Sequence, residues 1–167
     1  MAVESEVSRQ SRGAIIVMSE QAIGKIDHMG IAVKSIAEAR KFFEGILGAQ
    51  FLYEHENLEA GYKLVELDFN GFVFELLEPM GEKSFLHAFI ERRGEGVHHV
   101  TLDVPDSRKK IAELKANGVK VVDERDFSAD SYECFISPRA SHGVLFQIGS
   151  GYPTLARAAE WFKKPSD

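Results

Sequence analysis

Two histidines at the heads of two similar segments, and one polar residue inside each of two otherwise apolar runs, are where this sequence could do chemistry. Ile26-Asp27-His28-Met29-Gly30 and Gly96-Val97-His98-His99-Val100 each place an imidazole at the start of an alternating apolar stretch. Further on, Glu75 interrupts Phe72-Val73-Phe74-Glu75-Leu76-Leu77, and Gln147 interrupts Val144-Leu145-Phe146-Gln147-Ile148. His28 precedes Glu75 by 47 positions and His99 precedes Gln147 by 48. A lone histidine is more often a hydrogen-bonded core residue than a ligand, but four matched positions in two copies argue for a shared site.

A carboxylate facing an apolar interior is costly unless it is paired or bound to a cation, so Glu75 needs compensation unless it points to solvent from an edge strand. Strict alternation sends His98 and His99 to opposite faces. The spacing to Gln147 selects His99 for the inward set and makes His98 most simply a residue supporting that set from behind or lying at the surface. His28, Glu75, His99 and Gln147 then offer two imidazoles, one carboxylate and one amide oxygen, a set suited to a divalent metal ion such as Co, Zn, Ni or Mn. An octahedral ion held by four protein donors keeps two positions for water or substrate oxygens. That arrangement suits enolate chemistry, in which a cation stabilises charge on a carbonyl oxygen while a base removes the neighbouring proton. Glu75 is the first candidate base and Glu66 the second. Glu66 shares a strand face with Tyr62, Leu64 and Asp68, and alternation alone does not say whether that face is inward. Glu133 is a third candidate.

The elements that must position these residues are expected to occur twice. Residues 26–33 alternate as a strand, with His28, Gly30 and Ala32 on one face and Asp27, Met29, Ile31 and Val33 on the other. Ser35 and Glu38 form a capping-box pattern for a helix whose apolar side is Ala39, Phe42, Phe43, Ile46 and Leu47, stopped by Gly48. Strands are expected at 50–54, 62–69 and 72–77, the last two joined by the hairpin signal Asn70-Gly71. A short helix over 84–92 and a glycine-containing link at 93–96 lead to the second copy. Its strand covers 97–104, its helix 107–117 with Ile111, Ala112 and Leu114 inward, and its later strands 119–123, 132–136 and 144–148. The expected fold class is α+β, with two βαβββ modules at about 25–80 and 96–150 forming a pseudo-symmetric curved sheet around a metal site. Residues 1–24 are expected to be an N-terminal extension, and 151–167 a C-terminal helix carrying Trp161.

Composition narrows the partners. The 167 residues carry 26 acidic and 20 basic side chains, a net charge of −6, and no long basic run, which disfavours nucleic acid and anionic membrane as partners. No apolar stretch reaches membrane-spanning length. The single cysteine, Cys134, can form no internal disulfide, fits a reducing cytoplasm, and is expected to be a buried strand residue rather than a nucleophile.

The duplicated βαβββ order resembles the vicinal oxygen chelate superfamily of glyoxalase, bleomycin-resistance and dioxygenase proteins. Ile26-Asp27-His28, Gly30-Ile31-Ala32-Val33, Phe42-Phe43, Leu47-Gly48-Ala49, Glu75-Leu76-Leu77-Glu78-Pro79, Val97-His98-His99 and Gly143-Val144-Leu145 are most similar to the methylmalonyl-CoA epimerases. That resemblance covers about residues 25–148. It implies a metal-dependent epimerase of an acyl-CoA-type acid, a CoA thioester as small-molecule substrate, and a homodimer. It also leaves two alternatives of the same fold, a glyoxalase I-type lactoylglutathione lyase and a metal-free protein that sequesters a drug or other ligand. Two departures stand out. Epimerases usually place glutamate where Gln147 stands, and some have glutamine where Glu75 stands, so the carboxylate would sit in the other half of the site. Ser137-Pro138-Arg139 replaces the usual His-Pro-Lys before the last hairpin.

Overall fold

The computed structural model describes residues 22–128 and 131–151. Apart from a few residues, the helix expected at 151–167, with Trp161, and the expected N-terminal extension lie outside the described residues.

The chain runs β1 (Lys25–Ala32), α1 (Ile36–Phe43), β2 (Gln50–Asn57), β3 (Tyr62–Asp68), β4 (Val73–Pro79), α2 (Phe85–Arg93), β5 (Gly96–Asp103), α3 (Ser107–Ala116), β6 (Val121–Ser128), β7 (Ser131–Ile136) and β8 (Phe146–Gly149). The βαβββ unit therefore occurs twice, with α2 between the copies, and the class is α+β. The strands form one open curved sheet in the order β2-β3-β4-β1-β5-β8-β7-β6. β1 is parallel to β4, β5 is parallel to β8, and β1 and β5 meet antiparallel at the centre.

Local chemistry explains most boundaries. Ser35 Oγ accepts from Glu38 N at 3.3 Å and caps α1, while the Glu38 carboxylate turns to Lys41 at 2.6 Å rather than back to the cap. Glu78 of β4 accepts from Ile36 N at 2.5 Å, placing an anion at the positive end of α1. The helix ends at Phe43, sooner than the apolar periodicity suggests. Only Ile36, Ala39 and Phe43 of it join the core, and Phe42, Ile46 and Leu47 are exposed, contrary to the expected apolar face. From Glu44 the chain continues as turns in which Gly45 N and Leu47 N bond five residues back, and Ile46 and Leu47 lie beyond the regular helix. In α3, capped by Asp106, Ile111 is buried as expected, whereas Ala112 is exposed and Lys110 takes its place, its ammonium 3.1 Å from Glu113. Asn70 and Gly71, at φ 54° and 97°, make the tight β3–β4 hairpin that their dipeptide predicts.

One sheet face is packed by α1 over Val33, Ile36, Val65, Leu67 and Leu76, and by α3 over Val104, Ile111, Cys134, Ile136 and Ile148. On the other face, α2 seats Leu86 against Ala32, Leu64 and Leu77 and leaves the middle open. Two irregularities interrupt the central β1–β5 pairing. Partners run from Ile26↔Leu102 to His28↔Thr101, skipping Asp27, and from Gly30↔His99 to Ile31↔Val97, skipping His98. Each copy therefore carries a bulge immediately before its histidine.

Candidate metal and active site

The central seam places both histidines on the open face. His28 lies opposite Thr101 across β1–β5, and Gly30 opposite His99. Glu75 is the β4 partner of Gly30, and Gln147 the β8 partner of Thr101. The near-equal sequence spacings thus correspond to one register repeated about a local two-fold.

His28, Glu75 and His99 are buried and offer donor atoms that all lie within 4.8 Å of one another. Glu75 Oε1 is 3.9 Å from His28 Nε2, and Glu75 Oε2 is 3.6 Å from His99 Nε2. His99 Nε2 is buried with no hydrogen-bond partner among the described residues. The His99 ring lies over Gly30 so closely that a Cβ there would meet His99 Cε1 at 2.2 Å, so the close approach of this ring requires glycine. At the equivalent place in the other copy, Thr101 Oγ1 sits 2.9 Å from His28 Nε2 and donates to Gln147 Oε1 at 2.9 Å. Gln147 Nε2 donates to Glu133 Oε2 at 2.6 Å, which turns the amide oxygen toward Thr101. Gln147 thus adjoins the cluster through Thr101.

Asp27 and His98 depart from strict alternation. Asp27, expected on the opposite face, accepts from His28 Nδ1 through Oδ2 at 3.0 Å and pairs with Lys25. His98, expected to support the inward set from behind or to lie at the surface, has its Nδ1 3.0 Å from His99 Nδ1. The two bulges are the cause, since each breaks the two-residue period at the residue before the histidine.

Electrostatics separates the two imidazoles. Burial pushes the His28 pKa down, but the Glu75 and Glu66 carboxylates and Asp27 outweigh it and raise it to about 9. Burial, reinforced by His28 and His98, holds His99 well below the ordinary histidine value. Burial also lifts Glu75 to about 7 despite the opposing pull of His28, and lowers His98 to about 4. Glu66 is the direct partner of Glu75 across β3–β4, which settles that its face is inward. Burial raises its pKa, His28 and Tyr53 offset part of that, and Tyr53 Oη donates to Glu66 Oε1 at 2.6 Å. Glu133 stands on β7, on the far side of the seam, with Arg125 Nη1 3.7 Å away. Cys134 is buried, and burial pushes its thiol up to about 12, as a packing residue requires.

These groups line a cavity of about 710 Å³ whose wall also includes Tyr53, Leu64, Phe85 and Phe135. A second cavity of about 680 Å³ shares Phe85, His98, His99 and Leu145 with it and carries Arg92 and Arg93. Buried carboxylates of raised pKa beside a cluster of nitrogen and oxygen donors are equipped for proton transfer at a carbon acid.

Asp27, Thr101, Tyr53 and Arg125 escaped the sequence-based reading. Thr101 alone had a legible signal, because it stands two residues after His99 as Gly30 does after His28.

A duplicated βαβββ sheet with two histidines at its seam defines a class, and the sequence carries the same assignment. Residues 27–135 match the Glyoxalase/Bleomycin resistance protein/Dioxygenase superfamily, and the chain belongs to that family. An uncharacterised Bacillus subtilis protein, YqjC, is 32% identical over 128 residues, covering 75% of this chain and 91% of that protein. The mitochondrial methylmalonyl-CoA epimerase of Dictyostelium discoideum is 26% identical over 135 residues, covering 79% and 81%. A variant of the Streptomyces coelicolor methylmalonyl-CoA epimerase, solved in complex with 2-nitronate-propionyl-CoA, superimposes with a TM-score of 0.71 at 28% identity, covering 79% of this chain and all of that one. Within the superfamily, these relatives and structural neighbours support an epimerase function.

Proposed function

We infer that this protein is a metal-dependent epimerase of an acyl-CoA acid, with methylmalonyl-CoA as its substrate. The observation that carries this reading is the buried Glu75 carboxylate between two imidazole Nε2 atoms, one of which has no hydrogen-bond partner. A buried polar atom left unpaired in this way is costly, and a divalent cation would satisfy it. His28, Glu75 and His99 would hold that cation, with Gln147 as the fourth donor once its oxygen leaves Thr101. A bound divalent cation supplies positive charge for the thioester oxygen as the C2 proton departs; the donor set suits Co, Zn, Ni or Mn.

The remaining work falls to side chains. Glu75 and Glu66 are the proton-exchanging carboxylates of the β3–β4 wall, burial lifting Glu75 to about 7 and holding Glu66 above the ordinary carboxylate value. Tyr53 orients Glu66 through its hydroxyl. Epimerisation needs an acceptor on each face of the planar intermediate, and Glu133 is the carboxylate on the facing wall. The second cavity, contiguous through Phe85 and His98, has room for the long arm of a thioester, and Arg92 and Arg93 offer charge to its phosphates. Phe42, Ile46, Leu47 and Phe51 are exposed apolar side chains suited to the contacts of the homodimer expected of such a protein, working in the cytoplasm.

The test is exchange of the C2 hydrogen of methylmalonyl-CoA in D₂O, read by mass spectrometry with each divalent ion added in turn. Exchange that requires the ion and falls at least ~100-fold in Glu66→Gln supports the reading. No exchange with any ion, alongside turnover of a glutathione hemiacetal, would assign the lyase reaction instead.

A further inference from the structure

The two bulges at the seam are equivalent. Each inserts an extra residue just before the histidine of its own copy, Asp27 before His28 and His98 before His99, and each turns that residue toward the Nδ1 of its neighbour at 3.0 Å. The same local device therefore serves both halves, but with different chemistry at its tip: a carboxylate in the first copy, an imidazole in the second.

Hydrogen-bond accounting fixes the direction of each contact. An ionised carboxylate only accepts, so His28 Nδ1 is the donor to Asp27 and the His28 Nε2 edge faces Glu75. Between His98 and His99, one Nδ1 must donate to the other. If the His99 proton sat on Nε2, it would point at Glu75 Oε2 from 3.6 Å, too far for a hydrogen bond. The polar atom would then be buried with a proton and nothing to receive it. With the proton on Nδ1, His99 donates to His98, and a bare Nε2 is presented between Gly30 and Glu75.

His98 is held for this purpose by α2. Its ring lies 5.5 Å from Phe85 and 4.9 Å from Phe89, centroid to centroid, and stands at 88° to the His99 ring. The linking helix, which belongs to neither βαβββ unit, thus packs the imidazole that supports the second copy's histidine.

We propose that His98 is the positioning residue for His99: its Nδ1 accepts the His99 Nδ1–H and so presents a bare Nε2 to the cluster, while Asp27 fixes the His28 ring by accepting its Nδ1–H. The inference rests on the metal-site reading for its purpose but not for its test. The unlike partners also make the two ligands unequal, because a carboxylate strengthens its histidine as a donor more than a neutral ring does.

The test uses ¹⁵N-histidine spectra of the full-length metal-free protein, which report the protonated nitrogen of each ring, together with Zn²⁺ affinity measured by chelator competition. The wild type is expected to show His99 protonated on Nδ1. His98→Phe keeps an aromatic ring against Phe85 and Phe89 but removes the acceptor; the His99 proton should move to Nε2, and Zn²⁺ affinity should fall roughly 10- to 100-fold. His98→Asp, which copies the first half's device, should retain the Nδ1 proton and bind Zn²⁺ at least as tightly as the wild type. A wild-type His99 protonated on Nε2, or a folded His98→Phe with an unmoved proton and affinity within about twofold of wild type, overturns the proposal. Should His98→Phe not fold, loss of the Nδ1 proton in His98→Asp overturns it equally. Failure of the wild type to bind any divalent ion would sink the metal reading, and the tautomer would still decide the role of His98.

Discussion

Gly30→Ala adds one methyl group and removes no ligand, yet it should disable the cluster. The added Cβ would lie 2.2 Å from His99 Cε1, 2.4 Å from Nδ1 and 2.9 Å from Nε2. Ordinary contact begins at 3.4 Å, so the ring must retreat by about 1 Å. It has nowhere to go without breaking its bond to His98, because it is also packed edge-on against Phe135 and His28. Overpacking of this kind costs ~1–3 kcal/mol, which for a chain of this size lowers the melting temperature by roughly 2–12 °C. Metal sites tolerate donor displacements of only about 0.2 Å, so affinity should fall at least ~100-fold. Isothermal titration with Zn²⁺ measures the second effect and calorimetric melting the first. A Gly30→Ala protein that melts as the wild type does and binds the ion with wild-type affinity would refute the placement of His99 across β1.

The same geometry fixes four other outcomes. Glu66→Gln should cut C2 proton exchange ~100-fold or more while Zn²⁺ affinity stays within a few-fold, since Glu66 sits beside the three-donor cluster and not in it; equal losses in both would place it among the ligands. The metal-free protein should lose stability as pH rises: His28 is raised from 6.5 to about 9, so its contribution is complete below pH 6.5 and gone once pH has passed through about 9. Urea titrations at the two pH values should differ by up to about 3 kcal/mol, with Zn²⁺ abolishing the difference, and a metal-free protein that gains stability toward pH 9 contradicts this. Asp106→Ala removes the α3 cap, whose Oδ1 accepts from Lys109 N at 2.9 Å, and should cost about 1 kcal/mol by denaturant melting without altering metal affinity. Light scattering should find a dimer that Ile46→Glu converts to a monomer; a wild type that is monomeric at micromolar concentration would refute self-association through the exposed Ile46.

Much of the architecture was legible because period-two burial is a strong signal where one face of a sheet is buried. Glu75 is readable as inward because it stands in phase with the buried Val73 and Leu77, His28 because it stands in phase with Ala32, and His99 through its matched spacing to Gln147; Asn70-Gly71 announces its own turn. What alternation could not show is where it breaks. Asp27 and His98 lie one residue out of phase, and a bulge leaves no mark in composition; alternation therefore puts Asp27 on the wrong face and leaves the contact of His98 with His99 as one of two open readings. The face of Glu66 became certain only through its pairing with Glu75 across β3–β4. Helix faces misled at α1: Ile46 and Leu47 keep helical spacing but lie beyond its end at Phe43, and Phe42, inside the helix, is exposed for no reason the packing shows. Lys110 displaced Ala112 from the buried side because its aliphatic stem can pack while its ammonium reaches Glu113.

Each copy has its own apolar core under its own helix, and the copies are joined through the β1–β5 strand pair and the link around Gly94 and Gly96. His28 and Glu75 come from one side of that seam and His99 from the other, so a cation held by all three would act as a rivet across a joint. Polypeptides cut at the link should reassociate as complementary fragments, and more tightly with Zn²⁺ than with a chelator present. The candidate metal site lies on that joint, and filling it would bind two half-molecules into one.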